Sequence, residues 1–524
     1  MPQGPFAIPA FRPFVARRLQ PWIYVFMAFT FQFSGCRYTA ALAEMMGSQS
    51  LMREDLQMCL YANLAAMALY FPLLFRMKFR FTNKTLLLFS AAGTLVCNAV
   101  APHVTFLPLL WAICFFDGVC KIQGTFECLS TIQLWMTPRR DFRVFFPLLH
   151  LFIFGGMYLQ DYIASYLADL GAWQLMNTLV CGVMLLNLLV LVTCTRHFRF
   201  MPRFPLVGID WAGYALWNAL GLQLAFIFTY GDFYDWWHSR VICTLTATTL
   251  ITLGATLWRM YTVRHPFISP VIWRMKYVKP ILILIAIVEV LFATEYVLEE
   301  VFLEVGLHYG TFTGAFYDGY LAVGMVAGCL FGLWWMKVMN LSYVRLIIVG
   351  LAALLGYLVG MYLLVNPTIS QEQLWWPLVL RGFATSVLGA AFLTSLHDSM
   401  DFQTFFQGLA IFQYLHLVLG GLLGSALYTR CFRALINEGF ARYGQHIEGV
   451  SFSAHPFHLG EFMEHFAEQV QLISIRQIYG WVCYACIALI IAFALYDAPA
   501  RRDLKKMPSW KSVGMKMRRP FVKG

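Results

Sequence analysis

The chain has 524 residues, 60% of them hydrophobic and only 12% charged, with a mean hydropathy of +0.65. Soluble domains carry about 25% charged residues, so an ordinary soluble enzyme and a disordered polar chain are both excluded. The net charge of +11 does not point to nucleic acid, because its distribution follows the rule for membrane proteins.

Fourteen long apolar stretches run through the chain, at roughly 22–45, 55–75, 85–102, 106–135, 145–168, 173–195, 209–231, 240–262, 279–303, 312–337, 343–365, 375–397, 403–429 and 477–497. About 20 apolar residues span the hydrocarbon core as a helix. A helix is required because lipid offers no partner to backbone N–H and C=O groups. The connectors alternate in charge. The N-terminus, the segments 76–84, 139–143, 196–203, 259–279 and 337–345, and the tail carry most of the 38 Lys and Arg residues. The other side carries only Arg53, Arg240, Arg430, Arg433, Arg442 and Arg476. The positive-inside rule places both termini in the cytoplasm, and an even number of spans agrees by requiring them on the same side. Arg12, Arg17 and Arg18 lead straight into the first span, so the start reads as a cytoplasmic tail rather than a cleaved signal. The basic stretch from Arg501 to Lys523 reads as a topology anchor against anionic lipid.

Cysteines such as Cys97, Cys114, Cys181 and Cys243 fall inside apolar segments, where Cys behaves as a small hydrophobe. Cys483 and Cys486 form a C-x-x-C within the last span, not the loop setting of a redox site. The longest connector is 430–476, on the outer side. The spacing of Phe462, Phe466, Val470 and Ile473 predicts a short amphipathic surface helix there. His446, His455, His458, Glu461, Glu464 and His465 share this segment. They are read as a solvated helix rather than a metal site.

Ionisable side chains within spans cost roughly 2.5–3.5 kcal/mol each on insertion scales and are functional candidates by default. They are Arg37 and Glu44 in the first span; Asp117, Lys121 and Glu127 in the fourth; Asp161 in the fifth; Glu289 and Glu295 in the ninth; Asp318 in the tenth; and Arg381 in the twelfth, with His397 and Asp398 just beyond it. Asp117 and Lys121 are spaced to pair on one helix face. Glu289 lies near mid-helix with no basic neighbour one turn away. It needs an interhelical partner, a water-filled cavity or a proton, which makes it the first candidate for coupling or substrate contact. Glu299, Glu300 and Glu304 are expected to be wet residues at the outer helix end. The glycines 420, 421 and 424, and 324, 328 and 332, are spaced for close helix packing.

Several segments together resemble the major facilitator superfamily, in its 14-span drug:proton antiporter branch of EmrB- and QacA-like proteins. GIDWAGYAL from Gly208 is similar to that branch's entry to an extra helix pair. TYGDFYDWWHSRVI (Thr229 to Ile242) resembles the turn within the pair, and HPFISPVIWRMK (His265 to Lys276) the linker after it. Lys121-Ile122-Gln123-Gly124 is close to the fourth-span Arg-x-x-Gln-Gly, and LRGFATSVLGAAF around Arg381 resembles the tenth core helix. The segment FRMKFRFTNKT departs from the usual Gly-x-Leu-Ala-Asp-Arg-x-Gly-Arg loop. Cys120 replaces the fourth-span arginine, and the fifth span keeps only Gly155-Gly156 of a Gly-Pro-rich motif.

The resemblance implies an all-α major-facilitator fold with fourteen transmembrane helices in a 6+2+6 order. The parts would be a cytoplasmic N-tail (1–21), a six-helix bundle (22–200), a peripheral extra helix pair with linkers (201–276), a second six-helix bundle (277–497) with the outer loop 430–476, and a basic tail (498–524). It implies proton-coupled export of small amphipathic compounds by alternating access, from a bacterial inner membrane. Its partners would be a small-molecule substrate, protons, membrane lipids and, for EmrB-like pumps, a periplasmic adaptor. No cofactor is implied. The alternatives are an exporter or uniporter of one endogenous metabolite or lipid, and a polytopic lipid-modifying enzyme, for which no catalytic pattern is visible.

Overall fold

The structure is a computed structural model, and it describes residues 10–35, 41–137, 141–198, 206, 208–308, 311–339, 341–445 and 459–504. The described chain is helical apart from connectors and one isolated bridge between Phe11 and Thr195. The first part comprises α1 (Gln20–Gln32), α2 (Leu42–Gln49), α3 (Arg53–Leu69), α4 (Phe71–Arg80), α5 (Asn83–Val100), α6 (Leu107–Met136), α7 (Phe142–Asp169) and α8 (Gln174–Cys194). Then come α9 (Trp211–Tyr230) and α10 (Arg240–Thr262). The remainder comprises α11 (Val278–Phe292), α12 (Thr311–Leu333), α13 (Tyr343–Leu364), α14 (Trp375–Asp398), α15 (Phe402–Tyr414), α16 (Gly420–Gly444) and α17 (Leu459–Leu504).

Twelve of the described helical stretches are long and apolar enough to cross a membrane, or thirteen with the bent pair α3–α4 taken as one span. That pair bends by 61° at Pro72. Proline lacks the N–H that a continuing helix needs and clashes with the carbonyl four residues back. The expected first span falls on α1, the undescribed residues 36–40, and α2. Polar side chains close several helix starts: Thr82, Asp141, Asp210, Ser239 and Ser342 each accept a first-turn N–H, satisfying donors the helix cannot.

The outer segment differs from expectation. α16 continues to Gly444, and α17 runs unbroken for 46 residues from Leu459. At 1.5 Å per residue that is about 69 Å, more than twice the hydrocarbon thickness. The amphipathic stretch is therefore the outer end of the last helix rather than a separate surface helix. It rests on the extension of α16, where Phe440 meets Phe466 at 5.5 Å and buried Val470 lies beside Gly439. His446, His455 and His458 lie outside the described residues.

The basic connectors converge. Arg12 N donates to Cys194 O at 2.8 Å and Arg196 N to Ala10 O at 2.9 Å. Lys84 Nζ reaches Thr195 O at 2.9 Å, and Arg143 lies over the Tyr343 ring at 5.7 Å. Arg53 and Arg433, from the sparsely basic set, instead pair with Glu300 and Asp232. The segregation of charge in the sequence thus corresponds to groups of connectors that meet in space.

α9 lies against both α3 and α16, while α10 rests mainly on α9. Met58, Ala65 and Leu69 of α3 share a buried cluster with Ala225 and Tyr230 of α9 and with Tyr414, Val418 and Leu422. Tyr230 hydrogen-bonds Asp55, and Tyr414 OH donates to Gly221 O at 2.7 Å. α9 is therefore embedded, and only α10 has the peripheral position expected of the pair. At the other end of α9, Asp210 accepts from Gly213 N at 2.8 Å, Arg259 Nε at 2.8 Å and Phe267 N at 3.2 Å. One carboxylate ties α9, α10 and the following linker, which is the physical content of the GIDWAGYAL segment. Asp210→Asn is expected to lower stability by about 1–3 kcal/mol, the cost of unmaking charge-assisted bonds; thermal unfolding in detergent reads it, and an unchanged midpoint would show that the knot is dispensable.

Glycines let α12 and α14 approach closely. A Cβ at Gly382 would meet Leu321 O, and one at Gly324 would meet Val379 O. These obstacles are backbone atoms, which cannot rotate away. Gly382→Ala is expected to destabilise by about 1–3 kcal/mol through overpacking, seen as a lower melting midpoint. An unaltered midpoint would mean the two helices can part freely.

Candidate functional site

The main concentration of buried charge lies where α7, α11, α13 and α14 meet. Past Phe292, α11 continues through two π-helical turns, Glu295–Glu299 and Phe302–Gly306. π-turns recur at functional sites because they loosen the regular hydrogen-bond ladder. The first turn carries two carboxylates that face one cation. Arg381 Nη1 of α14 donates to Glu299 Oε2 at 2.6 Å, and its Nε lies 3.4 Å from Glu295 Oε2. Tyr357 OH of α13 donates to the same Glu299 oxygen at 2.7 Å. Arg381 and Glu299 are 7% and 9% exposed, so a charge-assisted pair sits in surroundings where either member alone is costly. Glu299 is therefore not a wet helix-end residue. The span continues to Gly306, beyond the point where the apolar run suggested its end. Glu300, one residue on, pairs with Arg53 Nη2 at 2.5 Å.

A second pair lies toward the start of α11, six residues before Glu295. His416 Nδ1 is 2.7 Å from Glu289 Oε1, and the two side chains are 11% and 13% exposed. His416 sits on another π-turn, Leu415–Leu419, between α15 and α16. Gly420 leaves room for the Glu289 side chain, against which any Cβ there would press. The His416 ring stacks on His150 of α7 with centroids 6.2 Å apart and 28° between planes. His150 is itself buried against Gly389 of α14. The interhelical partner that Glu289 required is thus a histidine.

Asp318 on α12 lies within electrostatic reach of Asp161 on α7 and of Arg381, Glu299 and Glu295. Tyr158 lies within reach of Glu295, Arg381, Asp318 and Asp161. Tyr296 neighbours Tyr61 of α3 and Tyr158 of α7 yet is 51% exposed. The structure brings together five sequence candidates: Glu289, Glu295, Asp161, Asp318 and Arg381. Asp117 and Lys121 form a separate patch in α6. Asp117 accepts from Asn63 Nδ2 at 3.0 Å, and Lys121 donates to Ser34 O at 2.8 Å. Glu44 is half-buried in the first turn of α2, and Arg37 lies outside the described residues. Sequence reasoning missed His150, Tyr357 and His416. The two histidines carried a usable signal, each being ionisable within an apolar run.

Two further contacts join helices on either side of the cluster. On the side of the basic connectors, Phe75 packs against Phe126, Phe402 and Phe406 at 5.1, 5.1 and 4.4 Å. Beside it, Lys78 Nζ donates to Glu127 Oε1 at 3.2 Å. On the other side stands the Arg53–Glu300 ion pair. Among the described residues, no group of three or more His, Cys, Asp or Glu is arranged to hold a metal.

No protein-family profile matches the sequence, and no curated protein matches it. Solved structures do match in fold. The tetrameric protein PepTSo2 is similar with a TM-score of 0.56 at 11% identity, over 93% of this chain and 100% of its own. The nucleoside transporter NupG, in a single-residue variant, gives 0.54 at 11% identity, over 90% and 99%. An auto-inhibited peptide transporter of the POT family gives 0.54 at 15% identity, over 90% and 97%. At these identities the likeness is one of fold, and it does not single out the drug-antiporter branch. The chain is an all-α, multi-pass membrane protein whose fold is similar to that of solved solute transporters.

Proposed function

We propose that this protein is a secondary transporter that moves one class of small, amine-bearing metabolite across the membrane by alternating access, in exchange for protons. The observation that carries the reading is the composition of the central cluster. Glu289, Glu295, Glu299, Asp161 and Asp318 outnumber Arg381 and His416 among the described residues. A cavity lined by one sign of charge concentrates the opposite charge, and tyrosine faces such as Tyr296 add cation–π attraction. A proton and an organic cation then compete for the same carboxylates. The nucleoside and peptide transporters among the fold relatives support a defined metabolite over a broad range of apolar drugs. No adaptor protein is needed for this reading.

In this reading the chain crosses the bilayer fourteen times, with α1–α2 as the first span and bent α3–α4 as the second, in a 6+2+6 order. The basic connectors and both termini face the cytoplasm. The two bundles rock about the midplane cluster, as repeats do in such transporters. The Phe75 cluster and the Arg53–Glu300 pair open in turn.

Proteoliposomes with an imposed pH gradient and an internal pH dye test this. Added primary and quaternary amines are expected to dissipate the gradient, whereas neutral nucleosides and dicarboxylates leave it intact. Absence of any amine-linked proton movement would sink the reading.

A further inference from the structure

Away from the charged cluster, a crevice of about 830 Å³ lies between α11, α15–α16 and α17. Its walls are apolar, and several are substantially exposed: Ile283 61%, Ile287 42%, Leu427 52% and Trp481 46%. It therefore opens outward from the helix bundle. Along α11 it runs from Lys279 to Leu291. Twelve residues at 1.5 Å rise give about 18 Å, close to the ~15 Å of one leaflet's hydrocarbon. Its charge is confined to one end. Among the described lining residues Lys279 is the one basic side chain, and exposed Arg274 and Lys276 stand in the adjoining linker beside Trp273. No acidic side chain lines it among the described residues.

We propose that this crevice binds an acyl chain of an anionic phospholipid, with the headgroup phosphate at Lys279. An apolar channel of one-leaflet length that ends in lysine and arginine matches that molecule at both ends. Juxtamembrane basic residues attract anionic headgroups, and the tryptophan beside them suits the interface. The bound chain reaches the back of the charged site. Val290 and Leu415 line the crevice and adjoin Glu289 and His416, and Tyr428, also in the wall, donates to Val290 O at 2.8 Å. The lipid thus packs the helices that hold the Glu289–His416 pair from behind. This holds whatever the cargo is.

The test uses the purified full-length protein in detergent, with phosphatidylglycerol or phosphatidylcholine of the same acyl chains at small molar excess. Native mass spectrometry is expected to show retained phosphatidylglycerol at about fivefold the level of phosphatidylcholine, the ratio for one basic contact. Phosphatidylglycerol with a photoreactive acyl chain is expected to label the crevice stretches of α11, α16 and α17 in the wild-type protein. Ala286→Trp, which fills the crevice, should remove that labelling. Lys279→Glu should erase the headgroup preference while keeping apolar labelling. Equal retention of the two lipids, or label spread evenly onto exposed helices such as α10, would overturn the proposal without recourse to any variant.

Discussion

Arg381→Ala is expected to lower stability by about 3–5 kcal/mol, because it leaves buried carboxylates without their cation. Glu299 and Tyr357 are packed around the guanidinium, and Glu295 approaches it from the same π-turn. The loss should appear as a large drop in melting midpoint and poor recovery from detergent. Arg381→Ala with Glu299→Gln should regain much of that stability, since the buried charge goes with its partner. Transport should stay lost in the double variant, because the ion pair that links α14 to the first π-turn is gone. A double-mutant cycle with the two single variants separates the terms. A melting midpoint for Arg381→Ala equal to wild type would show that the pair is not buried as described.

Glu289→Gln is the second large effect. Glutamine keeps the size and the bond to His416 but carries no titratable proton. Coupling between two ligands is typically about 1–3 kcal/mol, or roughly 5–150-fold. Accumulation driven by a pH gradient is therefore expected to fall by that order. Exchange of labelled for unlabelled solute, with no gradient, should stay within about twofold, since binding and rocking need no net proton transfer. Gradient-driven flux that persists at full rate would remove Glu289 from the coupling role. Parallel loss of exchange and gradient-driven flux would assign it to solute binding instead.

Much of the fold was legible because lipid forces a simple code. A long apolar run is a helix, and Lys and Arg mark one side. The buried charges were legible by the same logic, since Glu289, Glu295, Asp318 and Arg381 are conspicuous against leucine and valine. Their pairing was not. Arg381 meets a residue 82 positions away and Glu289 one 127 positions away. Those meetings depend on helix rotation, which packing sets rather than span length. Glu299 shows the limit most clearly. The end of the apolar run placed it in water, but α11 continues through π-turns that nothing in the composition announces. The outer ends of α16 and α17 were misread for a related reason: their polar residues resembled a loop, yet the two helices support each other beyond the bilayer through Gly439, Phe440, Phe466 and Val470.

The double attachment of α9 bears on how such a chain can be shortened. Asp55 and the small residues of α3 hold one flank, and Tyr414 and Leu422 hold the other. Splicing residue 200 directly to residue 277 would not yield a minimal twelve-helix protein. It would uncover Met58, Leu69 and Val418 and leave the Tyr414 hydroxyl and the Asp55 carboxylate without their partners on α9. The segment that most resembles an insertion has become part of the wall, and its removal has to be designed as a repacking of two other helices.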